Sequence, residues 1–176
     1  RAIAGIDKFQ SGNIFIQGKE LHNHSPIHGI SNGVAYLTED RKTLGLILEH
    51  SIRDNYGLPN ASRLSNSGFM AHKKIDMEIT DFMDRLSIKA PGIYTLAGQL
   101  SGGNQQKAVL AKWLGTNSKV LIFDEPTRGI DINGRREVYR IMEELLKEGV
   151  GILMLTSDYA EALEMGHRTI VLHRGS

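Results

Sequence analysis

Cysteine is absent from the 176 residues, which excludes a disulfide scaffold, a thiolate metal site and a cysteine nucleophile. No apolar run approaches the ~20 residues that span a bilayer as a helix. The N-terminal stretch, which begins at Arg1 without a methionine, carries no signal-peptide pattern. Charge of one sign is lacking too: Lys plus Arg number 21 and Asp plus Glu 20, a net +1. That balance gives no support to a protein that coats a polyanion, yet one local anion pocket needs few charges. What is present is 40% hydrophobic and 23% charged residues, a globular composition. The mass of 19.5 kDa suits one domain with a sizeable core.

Along the chain, NIFIQ (13–17) alternates between glycines and predicts a short strand, and GVAYL (33–37) predicts a second. Between them lie His22, His24 and His28. No carboxylate or cysteine accompanies them at ligand spacing, so a polar loop with incidental histidines is favoured over a metal site. From 41 to 98 strand-like runs stop. Ile75, Ile79, Phe82, Met83 and Leu86 share one helical face, which predicts a mostly helical insertion. The second half returns to alternation. A glycine-opened helix spans 101–114, and KVLIF (119–123) predicts a strand buried on both faces. Val138, Ile141, Met142, Leu145 and Leu146 stripe a helix that Gly149 closes, and GILMLT (151–156) predicts another buried strand. A short helix over 158–164 and a last strand TIVLH (169–173) complete an α/β order with a parallel sheet.

Two clusters carry chemistry. Ser101-Gly102-Gly103 opens a helix, so backbone N–H groups, the positive end of the dipole and a hydroxyl converge as a phosphate site. Alone, Ser-Gly-Gly reads more simply as a turn and cap; the Asn-Gln-Gln that follows and the next strand shift the balance. That strand ends in Asp124-Glu125-Pro126, at the carboxyl edge where open α/β sheets bind ligands. Asp124 is placed to hold Mg²⁺, and Glu125 to polarise a water attacking a phosphoryl group.

Together these residues resemble the ATP-binding cassette family. LSGGNQQ (100–106) looks like its signature motif, VLIFDE (120–125) like its Walker B strand with the following glutamate, and Gly129-Ile130-Asp131 like its D-loop. YLTEDRK (36–42), LSGGNQQK and DEPTRGID further resemble the second cassette of the tandem ATPases that energise bacterial ribose- and galactose-type sugar importers. The likeness runs from Arg1 to Gly175. It implies a P-loop NTPase-like (RecA-like) parallel sheet, with residues 1–40 and 101–176 forming the core and 41–100 a helical subdomain. It also implies ATP and Mg²⁺ as ligands. The site residues it implies are Asp124 and Glu125; Glu39, with Asp124, at the metal; Ser101, Gly102, Gly103 and Gln105; and Asp131 and Ser157.

The pattern also departs from the family. No G-x-x-x-x-G-K-S/T occurs, so the resemblance implies a core without its first strand and P-loop, beginning just after that motif. Glu39 stands where the family usually has glutamine, and Ser157 where it has a switch histidine. The expectation is a weak site of its own, with an intact signature turn that serves a nucleotide held by the first cassette. Leu46, Ile47, Leu48 and Ile52 either form a docking face for membrane-spanning permease subunits or pack within the subdomain; both readings stay open. Trp113 is expected on a core-facing stripe with Leu110 and Leu114. The enzyme reading thus stands beside that of a non-hydrolytic module completing a partner's site. A cassette acting on nucleic acid is disfavoured by the neutral charge and the lack of a basic arm. The implied location is cytoplasmic, peripheral on the bacterial cell membrane.

Overall fold

The computed structural model describes residues 1–21, 25–66 and 68–173. A hairpin of β1 (Phe15–Ile16) and β2 (Lys19–Glu20) comes first, then α1 (Pro26–Ser31) and β3 (Val34–Leu37). Next come α2 (Ile52–Asn60), a hairpin of β4 (Ser65–Asn66) and β5 (Phe69–Met70), and α3 (His72–Arg85). The final part holds α4 (Gly102–Leu114), β6 (Val120–Asp124), α5 (Ile132–Lys147), β7 (Gly151–Leu155) and α6 (Tyr159–Met165).

The core is a parallel sheet in the order β3-β6-β7. Leu37 lies beside Phe123, and Asp124 beside Leu155, so the three carboxyl ends share one edge. Central β6 is covered on both faces, as its unbroken apolar run predicts. On one face Ala35, Leu37, Leu121 and Phe123 join the main core with α4 and α5. On the other, Val34 and Ile122 pack with Ala4 and Leu21. This α/β arrangement matches the fold class expected from the pattern.

The helical stretch is held by α2 and α3 packed against α4. Ile75, Ile79, Met83 and Leu86 are buried, as their spacing predicts. Leu46 and Ile52 are buried and Leu48 packs against the same core, whereas Ile47 and Leu44 face outward. Trp113 and Leu114 pack at the margin of the core and Leu110 inside it.

Several expectations need correction. β1 covers only two residues of NIFIQ. His28 lies in helix α1, which Ser25 caps and Pro26 starts, rather than in a loop; His22 and His24 lie outside the described residues. A small hairpin interrupts the helical stretch. β7 is buried on one face only: Ile152 and Met154 pack inward while Leu153 and Leu155 are exposed, because the cluster that covers the other face of β3 and β6 does not extend over β7. TIVLH forms no strand; Ile170, Val171 and Leu172 are exposed in irregular backbone. An apolar run becomes a strand only where a neighbour satisfies its N–H and C=O groups.

Candidate functional site

The shared carboxyl edge gathers four segments: the exits of β3, β6 and β7, and the start of α4. Asp124 ends β6. Its Oδ2 accepts a hydrogen bond from the Tyr36 hydroxyl on the neighbouring strand. Burial and this carboxylate together push the Tyr36 hydroxyl well above the usual tyrosine range. The register pairs Tyr36 with Ile122, so a long side chain reaches diagonally to position 124. The sequence offered Tyr36 only as part of a motif; strand register supplied its role.

Glu125 follows in left-handed backbone, φ +49°, which is uncommon for a residue with a Cβ. Its N–H donates to the Leu155 carbonyl at 2.9 Å, and its Oε1 accepts the Ser157 N–H at 2.8 Å. The loops leaving β6 and β7 are thereby joined at the carboxylate itself. Asp158 caps α6, accepting from the N–H groups of Ala160 and Glu161, and receives Arg135 Nη1 at 2.9 Å. These donors hold the Asp158 carboxyl below the usual range.

Behind the joined loops lies Glu161, 1% exposed. Its Oε1 accepts from the Thr127 hydroxyl at 2.8 Å and the Tyr139 hydroxyl at 2.9 Å, and its Oε2 from the Thr156 hydroxyl. Three segments thus meet on one buried carboxylate. Burial, then the bond to Glu161, pushes the Tyr139 hydroxyl up to about 12. In sequence Glu161 looked like any helix acid.

At the exit of β3, Glu39 is ion-paired with Arg128. Ser101 caps α4, its Oγ accepting from the Asn104 side chain at 3.1 Å. Gly102 and Gly103 follow in the first turn, where N–H groups have no intrahelical acceptor. Asp131 caps α5 by accepting the Gly134 N–H at 2.8 Å. Gln105 is buried, and its Nε2 donates to the Ala97 carbonyl at 3.2 Å, which ties α4 to the preceding turn, while its Oε1 has no hydrogen-bond partner among the described residues.

Among the described residues no group of three His, Cys, Asp or Glu side chains forms a metal cage. Mg²⁺ is usually held by one or two carboxylates together with phosphate oxygens and waters. Asp124 offers one oxygen beyond the one engaged by Tyr36. Glu39 is committed to Arg128. A cleft of about 350 Å³ is lined by Glu39, Asp40, Arg41, Lys42 and Arg128.

Residues 1–128 match the family described as ABC transporter. The chain belongs to that family. Among curated relatives, a ribose import ATP-binding protein RbsA of Lactococcus lactis subsp. lactis is 47% identical over 175 residues. That match covers 99% of this chain and 36% of the relative. The protein of the same name in Bacillus subtilis is 46% identical over 176 residues, again 99% and 36% of the two lengths. The chain therefore spans about a third of the length of the relatives it matches. Among solved structures, an ATP-binding cassette of an ABC transporter superposes with a TM-score of 0.75 at 20% identity, covering 93% of this chain and 66% of that one. A dimeric cassette in a post-hydrolysis state, bound to ADP and Pi, gives 0.73 at 18%, covering 90% and 68%. At such identities these two speak for the fold of the cassette. No helix among its described residues is long and apolar enough to cross a membrane.

Proposed function

We propose that this cassette belongs to the ATP-binding subunit of a bacterial sugar importer, as its second nucleotide-binding half. The observation that carries the reading is the edge where Asp124 and Glu125 leave a doubly buried parallel strand beside Ser157. The names of the relatives supply the substrate class: ribose or a similar monosaccharide.

Asp124 would hold Mg²⁺ against nucleotide phosphates, and the ion would supply charge neutralisation there. Glu125 would orient water toward the phosphoryl group. Its carboxylate is already fixed by the Ser157 N–H, so its aim is set before ligand arrives. Ser157 offers no cationic side chain toward a γ-phosphate, which favours a weak site on this half. The turn Ser101–Gly103 would instead donate to a nucleotide held by the first cassette, with Asp131 at the same interface. The partners are that first cassette and membrane-spanning permease subunits, at the cytoplasmic face of the membrane.

A second reading is favoured by the lack of a cationic side chain at Ser157: a module that completes and senses its partner's site without hydrolysis. The experiment compares two variants of the full protein. Ser101→Arg should abolish most ATP turnover, because it blocks the anion-binding turn that serves the productive site. Glu125→Gln should reduce turnover less. The reverse ranking would show that the productive site lies on this half, and comparable loss in both would overturn the division of labour. The 176-residue chain alone should release no phosphate above background.

A further inference from the structure

Two arginines cross between the loop leaving β3 and the loop following β6. Arg41 reaches one way: Nη1 donates to the Arg128 carbonyl at 3.0 Å and Nη2 to the Gly129 carbonyl at 3.4 Å. Arg128 reaches back, its Nη1 donating to Glu39 Oε2. Segments 87 to 89 positions apart are thereby tied twice, once from each side.

A third segment meets them. A β-carbon placed on Gly102, the first residue of α4, would lie 2.9 Å from Arg41 Nη2. The guanidinium therefore rests on bare backbone at the start of α4, and any side chain there would have to displace it. Arg41 is also the first residue of a π-helical turn, Arg41–Gly45, that leads into the helical stretch. Asp40 caps this turn, its Oδ1 accepting the Lys42 and Thr43 N–H groups at 3.1 Å. The turn is therefore a rigid base for the arginine. The planar fork of a guanidinium presents its N–H groups to two successive carbonyls in fixed geometry, whereas the donors of an ammonium sit on a single nitrogen and are not preset.

We propose that Arg41 is a positioning residue that couples the entry of the helical stretch to Gly129–Asp131 and to the start of α4. Displacement of the 39–45 segment is transmitted through the guanidinium to the loop that Asp131 closes, so the two ends of the cassette interface shift together. The pairing of Glu39 with Arg128 completes the interlock and neutralises the carboxylate that faces this cleft. The functional meaning rests on the reading that Ser101–Gly103 and Asp131 face a partner cassette; the interlock itself needs no nucleotide.

The test is amide hydrogen exchange on the chain without nucleotide, followed peptide by peptide. Arg41→Ala should raise exchange over 128–134 by about tenfold while β6 and the middle of α5 stay protected. Arg41→Lys should recover part of the protection. Gly102→Ala, a smaller change, should loosen the same loop by displacing Arg41, and should add nothing in the Arg41→Ala background. Unchanged exchange at 128–134 in Arg41→Ala would overturn the proposal. So would an additive effect of Gly102→Ala, or a uniform rise across the whole sheet, which would mark Arg41 as a general stabiliser. In the full protein, Arg41→Ala should lower kcat for ATP with KM little changed. If the exchange result holds and turnover does not respond, the interlock stands and the nucleotide reading fails.

Discussion

Replacing Glu161 separates a stabilising hub from an incidental buried acid. Glu161→Leu removes the acceptor shared by Thr127, Tyr139 and Thr156. Thr127 and Tyr139 are buried, 4% and 8% exposed, and both hydroxyls are bonded to Glu161. Leaving each unpaired costs about 1–3 kcal/mol. Thr156 is half-buried and contributes less. Against this, leucine relieves the desolvation of a carboxylate with no cation bonded to it, which offsets part of the loss. The expected net destabilisation is about 2–4 kcal/mol. Glu161→Gln keeps the shape and one oxygen. That oxygen can still receive Thr127 and Tyr139, and the amide can donate to Thr156, so the cost should fall to about 1 kcal/mol. Urea unfolding with a shared m-value reads the difference directly. A Thr127→Val change should cost less in the Glu161→Leu background than alone, because its partner is already gone. If the leucine variant were as stable as the glutamine one, and both lay within about 0.5 kcal/mol of the parent, the hub would carry no energy and the reasoning would fail.

Two further outcomes follow from packing and charge. A β-carbon on Gly115 would meet two ring carbons and the hydroxyl oxygen of Tyr56, the nearest at 2.5 Å; Gly115→Ala should cost about 1–3 kcal/mol in thermal melting, and Tyr56→Leu should recover part of it. Lys112 donates to the Gly45 carbonyl at 2.7 Å, and its burial pushes the ammonium down to about 8. Its folded pKa lies below the unfolded one, so the unfolded chain binds more protons between about pH 8 and 10, and this group's contribution to stability rises across that window by at most about 3 kcal/mol. Lys112→Met should lack that rise when melts at pH 7, 8.5 and 10 are compared, and parallel curves for the two proteins would refute it.

The elements most legible in sequence were those whose pattern states their whole environment. Residues 120–123 are apolar at every position because β6 is covered on both faces, and the α3 stripe repeats because one face is buried. Asp124, Glu125 and Ser101 could be placed because each sits at a strand or helix end, where local order fixes position. Interactions between segments were not legible. Tyr36 reaches Asp124 through strand register, Arg41 and Arg128 cross between loops, and Glu161 collects hydroxyls from three elements. None of these has a local spacing. TIVLH shows the converse error, since its apolarity is real but a strand also needs a neighbouring ladder. The burial of Gln105 was not legible either: it follows the glycine turn in sequence, yet lies on the buried side of α4.

The backbone of Glu125 sets stability and chemistry against each other. In the left-handed region a side chain with a Cβ is tolerated at some cost, and glycine would relax it. A population of variants sorted only for resistance to heat should therefore drift toward glycine at this position. It would discard the carboxylate that the Ser157 N–H holds in place. Only selection on turnover would keep an acid there, so the residue found at 125 after each kind of sorting reports which pressure the position has answered to.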